Sequence, residues 1–265
     1  MKHSPELIES LVSLSRKADQ AILEIYNTDF DVEDKSDNSP LTQADMASHH
    51  TIVSGLRELT PEIPVMSEES ANISTEQRLG WQRYWLVDPL DGTREFIKRN
   101  GEFTVNIALI ENAHPVLGVI TVPALGLAYH GSAQNGAWRQ QGDKPAEAIR
   151  VRKLGNEPKI AVASRSHKTP ELQQYLDAMG EHQVRSIGSS LKFCLVAEGE
   201  ADIYPRFGPT SEWDTAAAQA IVEAAGGRVV DISGQPLRYN KGESVLNPSF
   251  LVYGDDSQDW TAYVP

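Results

Sequence analysis

The stretch WLVDPLDGTREF, residues 85–96, opens on an apolar run, Trp85-Leu86-Val87, and closes that run with Asp88. Pro89, Leu90, a second aspartate, Asp91, and then Gly92-Thr93 follow. A short apolar run bounded by turn residues reads as a core strand. Such a strand does not ordinarily end by concentrating negative charge, so something positive must balance the two carboxylates. Asp88 and Asp91 are expected to flank a tight turn, set by the proline and permitted by Gly92. Thr93 and the residues Arg94 to Lys98 are expected to start a short helix, whose free N–H groups suit a phosphate oxygen. Carboxylates that attract a cation therefore stand beside a turn that attracts an anion. Magnesium takes oxygen ligands and bridges protein to phosphate, so it fits both parts. By spacing alone, the same residues also fit an exposed Asx-type turn.

The rest of the chain narrows the choice. Its 265 residues suffice for one large domain or two smaller ones. A net charge of -13 argues against a nucleic-acid polymer as partner, and phosphate chemistry then needs local cations such as metal ions. The single cysteine, Cys194 in LKFCLVA, excludes an internal disulfide and a CxxC zinc pair, and its apolar surroundings read as core. At the N-terminus, Leu7, Leu11, Leu14, Ala18, Ile22 and Ile25 recur at helical spacing. This is an amphipathic helix with Ser4 as N-cap and Pro5 at its first position, not a signal peptide. No apolar run reaches the length of a membrane span, so a cytoplasmic protein is expected.

A second helix is expected from Thr42 to Leu59, then a strand from Ile63 to Met66. The strand Tyr84 to Val87 leads to the opening motif. Phe103 to Ile110 and Val116 to Val122 read as paired strands, extended by Leu127 to His130 and Gly136 to Arg139. From about residue 153 strands and helices alternate: Ile160 to Ala163, Pro170 to Met179, Val184 to Ile187, Ser190 to Glu198, Ala201 to Tyr204 and Trp213 to Ala225. Strands at Arg228 to Asp231 and Phe250 to Tyr253 close the chain. The expected organisation is an α+β half, residues 1–152, and an α/β half, residues 153–265, packed together without a flexible linker.

Further acidic residues stand where sites gather in such folds. Glu68 follows a short apolar strand in VMSEES; strand alternation is expected to turn its neighbour Glu69 to the other face. Asp214 starts the helix WDTAAAQAIVEAAGG, and Asp45 lies on the second helix. Singly, Asp214 fits a charge on a helix dipole, Asp45 a solvated residue, Thr93 a helix cap and Lys192 a solvated lysine.

Taken together, SEES, WLVDPLDGTREF and EWDTAAAQAIVEAAGG resemble the inositol monophosphatase superfamily of magnesium-dependent, lithium-sensitive phosphatases, and the likeness runs from about Glu6 to Tyr253. DNSPLTQAD, RYWLVDPLDGTREFIKRNGEFTVNIALI, SIGSSLKFCLVAEGEADIYPRFGPT and ESVLNPSF are similar to its bacterial bisphosphate nucleotidase branch. The resemblance implies a layered α-β-α-β-α sandwich of the inositol monophosphatase and fructose-1,6-bisphosphatase type. It implies two or three magnesium ions on Glu68, Asp88, Asp91, Asp214 and the carbonyl of Leu90. It makes Asp45, with Thr93, the group that takes a proton from water, while the Gly92 and Thr93 N–H groups hold the phosphate. Ser189, Lys192, Arg206 and His167 match nucleotide contacts, and Glu68, Leu90, Asp91 and Asp214 also border the substrate. The implied activity converts adenosine 3',5'-bisphosphate to AMP and phosphate, clearing a by-product of sulfate activation. The implied protein is a monomer of the cytoplasm or of the cytoplasmic membrane face. The alternatives are an inositol monophosphatase or other small phosphomonoesterase, and a nucleotide-binding regulatory protein.

Overall fold

The computed structural model describes residues 4–28, 40–70, 73–164 and 169–265. Helices α1 (Pro5–Tyr26) and α2 (Pro40–Leu59) precede β1 (Val65–Ser67), α3 (Thr75–Leu79), β2 (Arg83–Asp91) and α4 (Thr93–Ile97). A meander follows: β3 (Thr104–Glu111), β4 (His114–Val122), β5 (Leu127–Ser132), β6 (Gly136–Gln141) and β7 (Glu147–Ile149). The rest alternates: β8 (Lys159–Ala163), α5 (Pro170–Met179), β9 (His182–Ser186), α6 (Leu191–Ala197), β10 (Ile203–Arg206), α7 (Glu212–Ala224), β11 (Arg228–Asp231) and β12 (Phe250–Tyr253). No described helix is long and apolar enough to cross a membrane.

β1 to β7 form one sheet in chain order, parallel only between β1 and β2. The second sheet has the order β11-β12-β10-β8-β9. Three apolar clusters make five layers of them. Trp85, Val87 and Leu109 meet α1 and α2 on one face of the first sheet. Tyr84, Leu86 and Ala108, on its other face, meet α6 and α7, which also pack on Tyr204 and Phe250 of the second sheet. The far face of the second sheet packs on α5 through Leu172, Tyr175 and Met179. This is the α-β-α-β-α sandwich. Burial of the first sheet on both faces explains why Trp85-Leu86-Val87 is apolar without alternation.

Local expectations hold at the anchors. Ser4 accepts the Leu7 N–H at 3.3 Å with Pro5 behind it. A buried triad, in which Thr121 bonds Ser15 at 2.8 Å and Asp19 at 2.6 Å, fixes α1 on β4. Cys194 is buried, and burial pushes its thiol up. Asn112 and Ala113, both at positive φ, make the β3–β4 hairpin.

Other expectations are corrected. Asp88 and Asp91 do not flank a tight turn. β2 runs through both, with a register irregularity between them where Pro89 has no N–H to give the ladder; the turn comes at Gly92, at φ 101°. The short elements α3 and β7, of five and three residues, carry too little periodicity to read from sequence.

α7 belongs to the second half of the chain yet lies on β3 to β6 of the first sheet. Gly118 and Gly131, paired across β4 and β5, make this approach possible. A Cβ on Gly118 would stand 2.1 Å from the Ala217 carbonyl oxygen, and one on Gly131 would stand 2.9 Å from Ile221 Cα. The alanines Ala216, Ala217, Ala218 and Ala220 supply the matching small surface. This contact sets where the first turn of α7, with Asp214, arrives. Gly118→Ala is therefore expected to lower stability by about 3 kcal/mol through overpacking against rigid backbone, read as a reduced urea midpoint at unchanged m-value.

Candidate active site

Strand alternation sorts the opening motif. Trp85 and Val87 face α1 and α2, whereas Tyr84, Leu86 and Asp88 face α7. Asp88 is 1% exposed and sits opposite Asn106 of β3. Its Oδ1 accepts the Leu90 N–H at 3.0 Å, which shapes the irregular stretch. α2 braces that stretch from the other side, as Ser48 Oγ donates to the Pro89 carbonyl at 2.7 Å. Asp91 ends β2, and its Oδ2 receives Ser190 Oγ at 2.9 Å and Thr104 Oγ1 at 3.4 Å. Asp214 is the third helical residue of α7 and closes a capping box, its Oδ2 accepting the Ser211 N–H at 3.0 Å. One carboxyl oxygen from each of Asp88, Asp91 and Asp214 lies within 4.8 Å of the others.

Glu68 as a residue is exposed, yet its carboxyl turns inward, toward Asp88 and the Trp213 side chain. Asp45, on α2, faces Glu69. The expectation that Glu69 turns away is thereby corrected: β1 stops at Ser67, and a turn carries Glu68 and Glu69, with Ser70 N–H on the Ser67 carbonyl. Strand alternation does not apply there.

The group behaves as a buried anion cluster. Burial first, then neighbouring carboxylates, raise Glu68 to about 7 and both Asp45 and Asp214 to about 8. Asp88, the most enclosed, is pushed up for the same reasons. No ion pair among the described residues involves Asp88, Asp91 or Asp214. One oxygen of Asp45 is buried without a partner. Converging oxygen donors that lack a protein cation fit a hard divalent ion.

Beside the cluster lies a cleft of about 280 Å³, bordered by Asp91, Gly92, Thr93, Ser189, Lys192, Arg206 and Asp214. Thr93 is exposed at the start of α4. Lys192 is not the solvated lysine that its helix position allows. It is 7% exposed, with Nζ 2.6 Å from the Ser189 carbonyl and 5.5 Å over the Tyr204 ring, and burial holds its pKa down. Ser189 is at φ 45°, its hydroxyl buried without a partner. Arg206 is braced by Thr210 at 2.9 Å and the Pro209 carbonyl at 3.0 Å. His167 lies outside the described residues. A larger groove of about 790 Å³, between α1 and β5–β6, holds no such carboxylate cluster, so the smaller cleft is the chemical one. Sequence reading missed Trp213, Asn106 and Ser190, and turned Glu69 to the wrong face. Only Asn106 left a signal, as an amide inside the apolar strand TVNIALI.

A family model described as "Inositol monophosphatase family" matches residues 4–259. The "3'(2'),5'-bisphosphate nucleotidase CysQ" of Escherichia coli is 53% identical over 248 residues, 93% of this chain and 99% of that protein. The protein of the same description from Salmonella typhimurium is 54% identical over the same shares. Among solved structures, CysQ from Bacteroides thetaiotaomicron, described as a bacterial member of the inositol monophosphatase family, superposes with a TM-score of 0.87. It is 46% identical, over 95% of this chain and 98% of that one.

The raised carboxyls have a consequence for stability. Folded pKa values near 7–8 exceed the unfolded ones, so the folded chain holds more protons and metal-free stability falls as pH rises through this range. Asp19, at about 7 and away from the cluster, adds a slope of the same sign that metal will not remove. His49 and His130, depressed by burial, oppose it only at lower pH. The metal-free melting temperature is expected to be lower at about pH 8 than at about pH 6.5. A saturating divalent cation should raise it most at the higher pH, as calorimetry with and without chelator would read.

Proposed function

The chain belongs to the inositol monophosphatase family, and from that membership we propose that it is a 3'(2'),5'-bisphosphate nucleotidase, a phosphatase that releases phosphate from adenosine 3',5'-bisphosphate to leave AMP. The observation that carries this reading is an uncompensated carboxylate cluster beside a cleft whose buried cation, Lys192, has no carboxylate partner among the described residues.

The cluster takes magnesium, two or three ions, on Glu68, Asp88, Asp91, Asp214 and the Leu90 carbonyl. When bound, magnesium supplies positive charge to phosphate oxygens and lowers the pKa of water. The chain's own groups do the rest. Asp45 accepts the proton of the attacking water, directly or through the Thr93 hydroxyl; its buried, partnerless oxygen supports this role. Gly92 and Thr93 offer backbone N–H groups to the transferred phosphate. Lys192, Arg206 and Ser189 grip the second phosphate, which a simple monoester lacks. His167 is assigned to the nucleoside. Residues 1–152 thus supply most of the metal site and residues 153–265, apart from Asp214, the substrate grip. The working unit proposed is a monomer. The nucleotide substrate places its work in the cytoplasm, with any membrane contact peripheral.

Phosphate release from adenosine 3',5'-bisphosphate and from inositol 1-phosphate, measured side by side with magnesium and with chelator, tests the reading. Magnesium-dependent release from the nucleotide is expected, and a preference for inositol phosphate would overturn the substrate assignment. Lys192→Met keeps the side-chain stem and removes the charge. It should lower kcat/KM for the bisphosphate about 10- to 100-fold, the worth of a charged hydrogen bond, and leave a simple monoester little changed. Asp45→Asn should lower kcat by about 10²–10⁴ while magnesium still binds.

A further inference from the structure

Ser190 stands at the junction of everything described above. It is 1% exposed and occupies the N-cap of α6, between Ser189 and Lys192. Its Oγ lies 2.9 Å from Asp91 Oδ2 and 2.9 Å from the Asp214 carbonyl oxygen, and it accepts Asn106 Nδ2 at 3.0 Å. Asn106 is itself 1% exposed and stands across the β2–β3 ladder from Asp88, on the same face. One hydroxyl therefore touches two of the three clustered aspartate residues and, through an amide, the strand position opposite the third. A hydroxyl has a single hydrogen, and the charged acceptor makes the stronger bond.

We propose that Ser190 is a positioning residue for the metal site, holding Asp91 Oδ2 so that the other carboxylate oxygen is presented to the cation. This rests on the reading of Asp91 as a metal ligand. With Ser190 on one side and Thr104 on the other, Oδ2 is occupied and the carboxylate cannot rotate freely. Asn106 donates to the hydroxyl oxygen in turn, and of the two acceptors left for its hydrogen the charged Asp91 makes the stronger bond. Such outer partners orient a ligand before the ion arrives, and their loss typically weakens metal binding about 10- to 100-fold. Because Ser190 also begins the segment that carries Lys192, the same hydroxyl ties the substrate grip to the metal cluster.

The test measures metal binding directly on the full, metal-stripped chain, by titrating manganese and following the free-ion signal in electron paramagnetic resonance. Ser190→Ala is expected to weaken manganese binding about tenfold or more. Ser190→Thr, which keeps the hydroxyl, should stay near the unsubstituted protein. In magnesium assays the Ala variant should need proportionally more metal for half-maximal rate yet recover kcat at saturation. Unchanged manganese affinity in Ser190→Ala, even with a lowered melting temperature, would show a merely structural hydroxyl and overturn the proposal. Absence of binding to the unsubstituted protein would overturn the metal reading beneath it, which separates the two failures.

Discussion

Carboxylates packed within a few ångströms of one another, away from water, repel strongly, because the medium between them screens poorly. Asp88 is the centre of that constraint. It is almost fully enclosed, it is bordered by Asp91, Asp214, Glu68 and Asp45, and no basic side chain among the described residues pairs with it. A fold keeps such a group only by protonating it or by giving it a cation. The raised pKa values are the first solution, available to the protein without metal. The divalent ion that the donor set fits is the second. The cluster is thus a place where stability is given up so that a metal can restore it.

The surrounding architecture holds these charges against their repulsion. β2 is buried on both faces, so its backbone cannot slide. The irregularity at Pro89 offsets Asp91 from Asp88, and Ser48 clamps the same stretch from α2. On the other side, the glycine floor of Gly118 and Gly131 lets α7 sink onto the first sheet, and this depth brings Asp214 to the cluster. The five layers matter for function because the site lies where two of them meet: a strand end of the first sheet and, in the helix layer packed on it, the start of α7 and the segment before α6. Hydrogen bonds from Ser190 to Asp91 and from Lys192 to the Ser189 carbonyl then connect the carboxylate cluster to the cleft.

Much of this was legible in the chain. The apolar run into Asp88, the cap Ser4-Pro5, the helix of Asp214 and the alternation after residue 153 each obey local rules, and the structure keeps them with ends shifted by a few residues. The long motifs carried the family and, with it, the carboxylate set. Errors fell where local rules compete. Glu69 was assigned by strand alternation although its strand had already ended, and the paired aspartates were assigned to a turn although the ladder continued through them.

By itself, then, the sequence determined the elements, the apolar faces and the identity of the acidic residues, because periodicity, capping and turn chemistry act over a few residues. It could not decide which polar groups would be enclosed together. Lys192 looked like a solvated lysine and is buried; Ser190 and Asn106, 84 positions apart, meet in a hydrogen bond. Burial and pKa are properties of the packed layers, since desolvation depends on what arrives from distant parts of the chain. Only the tertiary structure made five ordinary carboxylates into one electrostatic site.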